Sequence, residues 1–177
     1  MAGELQLGGT TLATHTGSGA SAKINLDSGL VFPAGHVIQV VNAATTTPVT
    51  ISSTGLVDTG LSVSITPTKT SSKILVLTKQ GGYVGRDNSL GFSFNVRLVR
   101  DSTIISTHSY DFRGGLASDG RLWAPFSDGF CTMDSPNTTS AITYKTQGDC
   151  STTANAAGIR FQYGATEGSM VIMEIVV

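Results

Sequence analysis

Between residues 36 and 177, apolar and polar positions alternate in short runs of period two, the spacing of strands with one face buried. The clearest run is Leu90–Val99, with Phe92, Phe94, Val96 and Leu98 on one face and Ser93, Asn95 and Arg97 on the other. Leu61–Thr66 sets Leu61, Val63 and Ile65 against Ser62, Ser64 and Thr66. Ile159–Tyr163 repeats the pattern with Ile159, Phe161 and Tyr163. His36–Val41 and Lys73–Lys79 are apolar on both faces, as strands inside a sandwich are. Pro48–Ser52 is short and weak, and Thr103–Ser109 carries Ile104 and Ile105. Phe130–Asp134 and Ala141–Gln147 are predicted to pair as a hairpin, with Ser135-Pro136-Asn137 as its turn. No window shows a helical period. These elements predict an all-β fold, an antiparallel β-sandwich of jelly-roll type.

Two further segments shape the expectation. Met170–Val177 is almost entirely apolar, and an edge strand of that composition invites aggregation. It is therefore expected in the middle of a sheet or at a subunit interface. Its single charge, Glu174, is expected on the solvent side of the outer sheet face; a place near a trimer axis or beside a Lys or Arg is the alternative. The glycine cluster Gln80–Gly85 lacks the lysine and the following helix of a phosphate loop, and is expected to connect strands.

The first 34 residues have a different texture. They are rich in Gly, Ser, Thr and Ala, with brief apolar patches at Leu5, Leu7, Leu12, Ile24, Leu26 and Phe32. A segment of this kind buries too little surface to offset its ordering entropy alone. Residues 1–34 are thus expected to be an extended arm that attaches to another protein or entwines a trimer, or that folds back on its own domain. Pro33 and Gly35 punctuate its end, which leaves 35–177 as the sandwich head.

Composition narrows the function. Charged residues make up 13% of the chain and the net charge is −1, without a run of Lys or Arg, so no nucleic-acid partner is expected. No stretch nears the ~20 apolar residues of a membrane-spanning helix, and the start lacks the basic and apolar regions of a secretory signal. Synthesis in a cytoplasm is the expectation. Cys131 and Cys150 are expected as free thiols, about six residues out of register in the predicted hairpin. His15, His36 and His108 have no neighbouring acid or Cys at ligand spacing, so no metal site is expected unless a trimer brings three copies of one His together. There is no G-x-S-x-G motif, and the Asp residues fall one to a turn, where they satisfy local backbone N–H groups. No catalytic residue and no cofactor is expected.

The segment most suggestive of binding is Tyr110–Gly129, read as a long loop. It holds Trp123, the sole tryptophan, with Tyr110, Phe112, Phe126, Arg113 and Arg121. Aromatic and arginine side chains anchor interfaces. Three roles stay open for it: capping the sandwich end, contacting another subunit, or binding a receptor or glycan.

The order FPAGHVIQVV, VDTGLSVSITPTKTSSKILVL, VRLVRDSTII, MDSPNTTSAITYKTQ and GSMVIMEI resembles small tail-fibre-like virion proteins of marine tailed bacteriophages, over residues 32–177. The resemblance implies a β-sandwich head that forms a homotrimer in the style of C1q- and tumour-necrosis-like domains, and it brings no catalytic residues. It implies a non-enzymatic structural protein at the virion surface. This would be a capsid decoration (cement) or short head-fibre protein, docked through its arm on the major capsid protein or another virion protein. The alternative is a tail-fibre or adhesin tip that binds a host-surface glycan or receptor through 110–129.

Overall fold

The computed structural model describes residues 3–16, 18, 23–26, 33–87, 91–113 and 121–177. The chain divides into two compact units, Met1–Ala34 and Gly35–Val177.

In the first unit the described residues form strands. β1 (Gly3–Leu7), β2 (Thr10–Thr16) and β3 (Lys23–Leu26) form an antiparallel sheet in that order. Leu7 pairs with Thr10 across a two-residue turn, Gly8-Gly9, and both glycines have positive φ, 58° and 81°. Such a turn needs left-handed backbone at both central positions, which a Gly-Gly pair supplies without strain.

In the second unit the described residues form eleven strands in two packed sheets. They are β4 (Val37–Thr45), β5 (Val49–Ile51), β6 (Val57–Ile65), β7 (Lys73–Asp87), β8 (Phe92–Arg100) and β9 (Thr103–Phe112). The remainder are β10 (Arg121–Asp128), β11 (Cys131–Asp134), β12 (Ile142–Cys150), β13 (Gly158–Phe161) and β14 (Gly168–Ile175). One sheet has the order β4-β14-β7-β13-β5, with β10 and β11 along the other side of β7; the second has the order β6-β12-β8-β9. With β10 and β11 taken as one broken strand and the short β5 and β13 set aside, the chain runs 1-8-3-6 in the first sheet and 2-7-4-5 in the second. That is the jelly-roll path. The core is the two inward faces: Ile74 and Val76 of β7 and Met170 and Ile172 of β14 meet Leu61 of β6 and Leu98 of β8.

Four expectations change. Gln80–Gly85 is not a connection but the middle of β7, flanked by β10 and β13. The glycines are there because neighbouring backbone comes too near for a side chain: a Cβ on Gly82 would lie 1.8 Å from the carbonyl oxygen of Arg160. The predicted 130–147 hairpin is a crossing. β11 pairs with β7 in one sheet, and β12 pairs with β6 and β8 in the other. Alternation reports which face is buried, not which strand is the partner, and so does not separate the two. Tyr110–Gly129 is mostly strand, because β9 continues to Phe112 and β10 pairs along β7 from Gln80 to Asp87. Finally, Glu174 faces inward and is 0% exposed. Its Oε1 accepts hydrogen bonds from the Thr68 backbone N–H and from Thr68 Oγ1, both 2.7 Å.

Two more carboxylates tie the sheets together. Asp134 of β11 accepts from Tyr144 Oη (2.6 Å) and Arg100 Nη1 (2.5 Å), both on the opposite sheet. Burial, then the bond to Asp134, pushes the Tyr144 phenol above its ordinary value. Asp128 of β10 accepts from Tyr110 Oη (2.5 Å) and pairs with His108 Nδ1 (2.6 Å) of β9.

Candidate functional site

The inward turn of Glu174 sets the chemistry of the opposite face. With Met170, Ile172 and Glu174 pointing in, β14 presents Val171, Met173 and Ile175 outward. Register extends that face across four strands. Val40, Met173, Leu75 and Met133 stand in one row, and Asn42, Val171, Leu77 and Cys131 in the next. Val40 is 57% exposed and Met133 52%. At ~4.8 Å between strands and ~6.8 Å between same-face residues, these two rows cover roughly 260 Å². That approaches the ~300–600 Å² of the largest apolar patch on a typical monomeric protein.

The outer face of the second sheet is the opposite in character. Ser64 Oγ bonds Thr143 Oγ1 at 2.8 Å, and Lys145 and Gln147 both reach Asp58. Asp149 pairs with Arg97 and accepts from Asn95 Nδ2 at 2.6 Å. Burial alone would raise the Asp58 carboxyl, yet the bonds from Lys145 and Gln147 hold it below the usual carboxylate range. This face is built for water. The first is not.

Farther along the first sheet, past Gly81, the outward residues become aromatic. Trp123 of β10 lies opposite Gly85, and Pro125 opposite Tyr83. On the other side of β7, Arg160 of β13 lies opposite Tyr83. The Arg160 guanidinium carbon sits 4.4 Å from the Trp123 ring centre and 5.6 Å from that of Tyr163. Tyr83 and Tyr163 meet edge to face at 5.4 Å.

The candidate residues of 110–129 therefore part company. Tyr110, Phe112 and Phe126 turn inward: Tyr110 stacks on Phe94 at 4.8 Å, Phe112 meets Phe92 at 5.9 Å, and Phe126 lies between Phe94 and Phe161 at 5.5 and 5.3 Å. They close the core. Arg113 is exposed and paired with Asp111 at 2.8 Å. Arg121 opens β10, and its side chain lies outside the described residues. Of the candidates whose side chains are described, Trp123 alone joins the outward aromatic group, with Tyr83, Arg160 and Tyr163. Register finds Tyr83 and Arg160, each on the outward parity of its strand. Tyr163 is expected on the inward face with Ile159 and Phe161, but β13 ends at Phe161 and left-handed Gln162 (φ 51°) turns the chain, so Gln162 is buried and Tyr163 exposed.

Of the arm residues, Leu5 is 63% exposed on β1. Leu7, Leu12, Ile24 and Leu26 lie on β1 to β3, but their side chains, and the whole of Phe32, lie outside the described residues. Both cysteines are free thiols; Cys131 is exposed on the apolar face and Cys150 is buried. Among the described residues no cluster of three His, Cys, Asp or Glu forms a metal-ligand set. His108 and Asp128 resemble the base and orienting acid of a nucleophile triad. Among the described residues, however, no Ser, Thr or Cys bonds the other ring nitrogen of His108.

No protein-family model matches the sequence, and no curated protein matches it. Among solved structures the chain is similar to an insecticidal delta-endotoxin of Bacillus thuringiensis, at 16% identity and a TM-score of 0.35 over 72% of this chain and 19% of that one. It is similar to the VP2 subviral particle of infectious bursal disease virus, at 15% identity and a TM-score of 0.34 over 87% of this chain and 37% of that one. It is also similar to the dimeric latent PorU of Porphyromonas gingivalis, at 11% identity and a TM-score of 0.35 over 81% and 14% of the two chains. This chain spans less than half the length of each.

Proposed function

We propose that this chain is a non-enzymatic structural protein of a bacteriophage virion: a homotrimeric capsid decoration or short head-fibre protein, docked through residues 1–34. One observation supports the assembly above the others. A jelly-roll sheet turns its aliphatic side chains out and its one β14 charge in, which costs solubility unless that face is covered. We assign the cover to further copies of this chain. The face is apolar across four strands, and a face of that chemistry needs an equally apolar partner, which this same surface supplies. Its roughly 260 Å² is about a third of what each partner buries in a stable interface, so the flanking edges of β4 and β11 contribute the rest. Around a three-fold axis, one half of this face packs on the other half of the same face in the next copy. The virion location rests on the sequence resemblance. In this reading Leu5, Leu7, Leu12, Ile24, Leu26 and Phe32 belong to the docking arm, with the major capsid protein or another virion protein as partner.

Sedimentation of the full chain tests the assembly: the wild type runs as a trimer, and Leu75→Glu and Met133→Glu run as folded monomers. A wild type that stays monomeric at tens of micromolar overturns it. Labelled antibody on purified particles tests the location, and removal of residues 1–34 is expected to abolish particle binding while leaving the trimer. Particles without the protein refute the virion role.

A further inference from the structure

The aromatic half of the outward face carries a second inference, one that does not rest on assembly. We infer that Tyr83, Trp123, Pro125, Arg160 and Tyr163 form a binding platform for an acidic saccharide, a sugar ring that bears a carboxylate.

The chemistry of this half differs from that of its neighbour on the same sheet. Where the other half is aliphatic, here the strands carry buried glycines at 81, 85 and 158, and the side chains that stand out beside them are aromatic. Tyr83 and Tyr163 are 39% and 46% exposed. Short hydroxyl side chains border the group: Thr50 pairs with Arg160, and Ser127 with Gly81. The C–H bonds of a pyranose ring form an apolar face with positively polarised hydrogens, which packs on the negative face of an aromatic ring. Its hydroxyls need donors and acceptors at the border.

Arg160 selects the class. Its guanidinium is held over Trp123 and Tyr163, and among the described residues it has no carboxylate partner and no hydrogen-bond acceptor. The other arginines whose side chains are described on these sheets are engaged: Arg97 with Asp149, Arg100 with Asp134, Arg113 with Asp111, and Arg86 with the carbonyl of Gly91. A cation fixed by ring contacts and left with its planar N–H donors free is complementary to a carboxylate. A rigid aromatic bed, a hydroxyl border and a planar cation with no partner among the described residues together describe an acidic sugar.

The test uses the full chain and its only tryptophan, Trp123, as reporter. Methyl glucuronide and sialyllactose are titrated while the emission is followed, with lactose as the neutral control. Both acidic probes are expected to give a saturable change in the millimolar range, at least ~10-fold tighter than lactose. Arg160→Gln is expected to bring acidic binding down to the lactose level, and Tyr163→Ala to weaken all binding, with circular dichroism showing both variants folded. The inference is overturned if neither acidic probe gives a saturable change, or if Arg160→Gln binds as well as the wild type. An emission change that follows protein concentration alone also overturns it, because it makes this half a contact between copies. Leu75→Glu, which addresses only the aliphatic half, separates failure of this inference from failure of the assembly.

Discussion

Replacing Gly82 with alanine adds one methyl group to the interior of β7, and the structure says what that methyl meets. An ideal Cβ lies 1.8 Å from the carbonyl oxygen of Arg160, 2.9 Å from its carbonyl carbon and 3.1 Å from the Cα of Phe161. All three atoms are backbone, so no side-chain rotation relieves the clash. β13 has to withdraw by more than an ångström. It pairs with β5 on one side and β7 on the other, and it carries Ile159 and Phe161, both 0% exposed. Overpacking costs ~1–3 kcal/mol and each displaced ladder bond ~1 kcal/mol, which together put Gly82→Ala at ~3 kcal/mol or more. Gly81→Ala, whose Cβ meets the Phe126 carbonyl oxygen at 3.0 Å, is the milder control. Urea denaturation measures both. With a slope of ~2 kcal/mol/M, Gly82→Ala lowers the midpoint by ~1.5 M, and Gly81→Ala by a fraction of that. A Gly82→Ala variant within ~0.5 kcal/mol of the wild type refutes the reasoning, since substitutions away from such features stay in that range. Gln80–Gly85 would then be the connecting segment that its sequence suggests.

Glu174→Leu leaves the Thr68 N–H and hydroxyl without their acceptor and is expected to cost ~2–3 kcal/mol in thermal melts, whereas Glu174→Gln keeps an acceptor and costs about half as much. The raised Tyr144 phenol predicts a particular alkaline limb. The neutral phenol is the form that the fold favours, so its contribution is complete below the ordinary phenol value of ~10 and is lost as pH rises above it, by up to ~1.4 kcal/mol per pH unit. Tyr144→Phe is expected to be less stable at pH 7 and to show a flatter decline above pH ~10 in denaturant titrations. Thiol labelling of the monomeric Leu75→Glu variant is expected to modify Cys131 alone, and the trimer is expected to protect that thiol. Cys150 is buried and its thiol is pushed up to about 11, so it reacts only on unfolding.

Much of the architecture is legible in the sequence, because alternation is a direct consequence of one-sided burial. Phe92, Phe94, Val96 and Leu98 read as one buried face, and all four are buried. What alternation leaves out is pairing. Asp134 and Ile142 are eight residues apart in number yet belong to different sheets, and only the close packing of the whole sandwich decides that. Glu174 misleads for a related reason. In a strand apolar on both faces, a lone charge looks like the marker of the wet side, but a carboxylate with two donors waiting inside is stable there. The candidate site suffers most. Trp123 stands out by rarity, while Tyr83 and the neighbouring Arg160 and Tyr163 lie about forty residues or more from it in the chain. Their convergence is a product of register, which no local window contains.

The position of β14 has a consequence for how the protein comes into being. It is translated after every other strand of the sandwich, yet it occupies the slot between β4 and β7. Until it emerges from the ribosome, those two strands face each other across a gap one strand wide, with open hydrogen-bonding edges and apolar flanks. Closure therefore waits until β14 is made, and the nascent sandwich depends on speed or on a chaperone to keep its neighbours out of that gap. A segment that fills the slot from another chain would do the same job, so the strand that completes the fold is also the one most readily exchanged between copies.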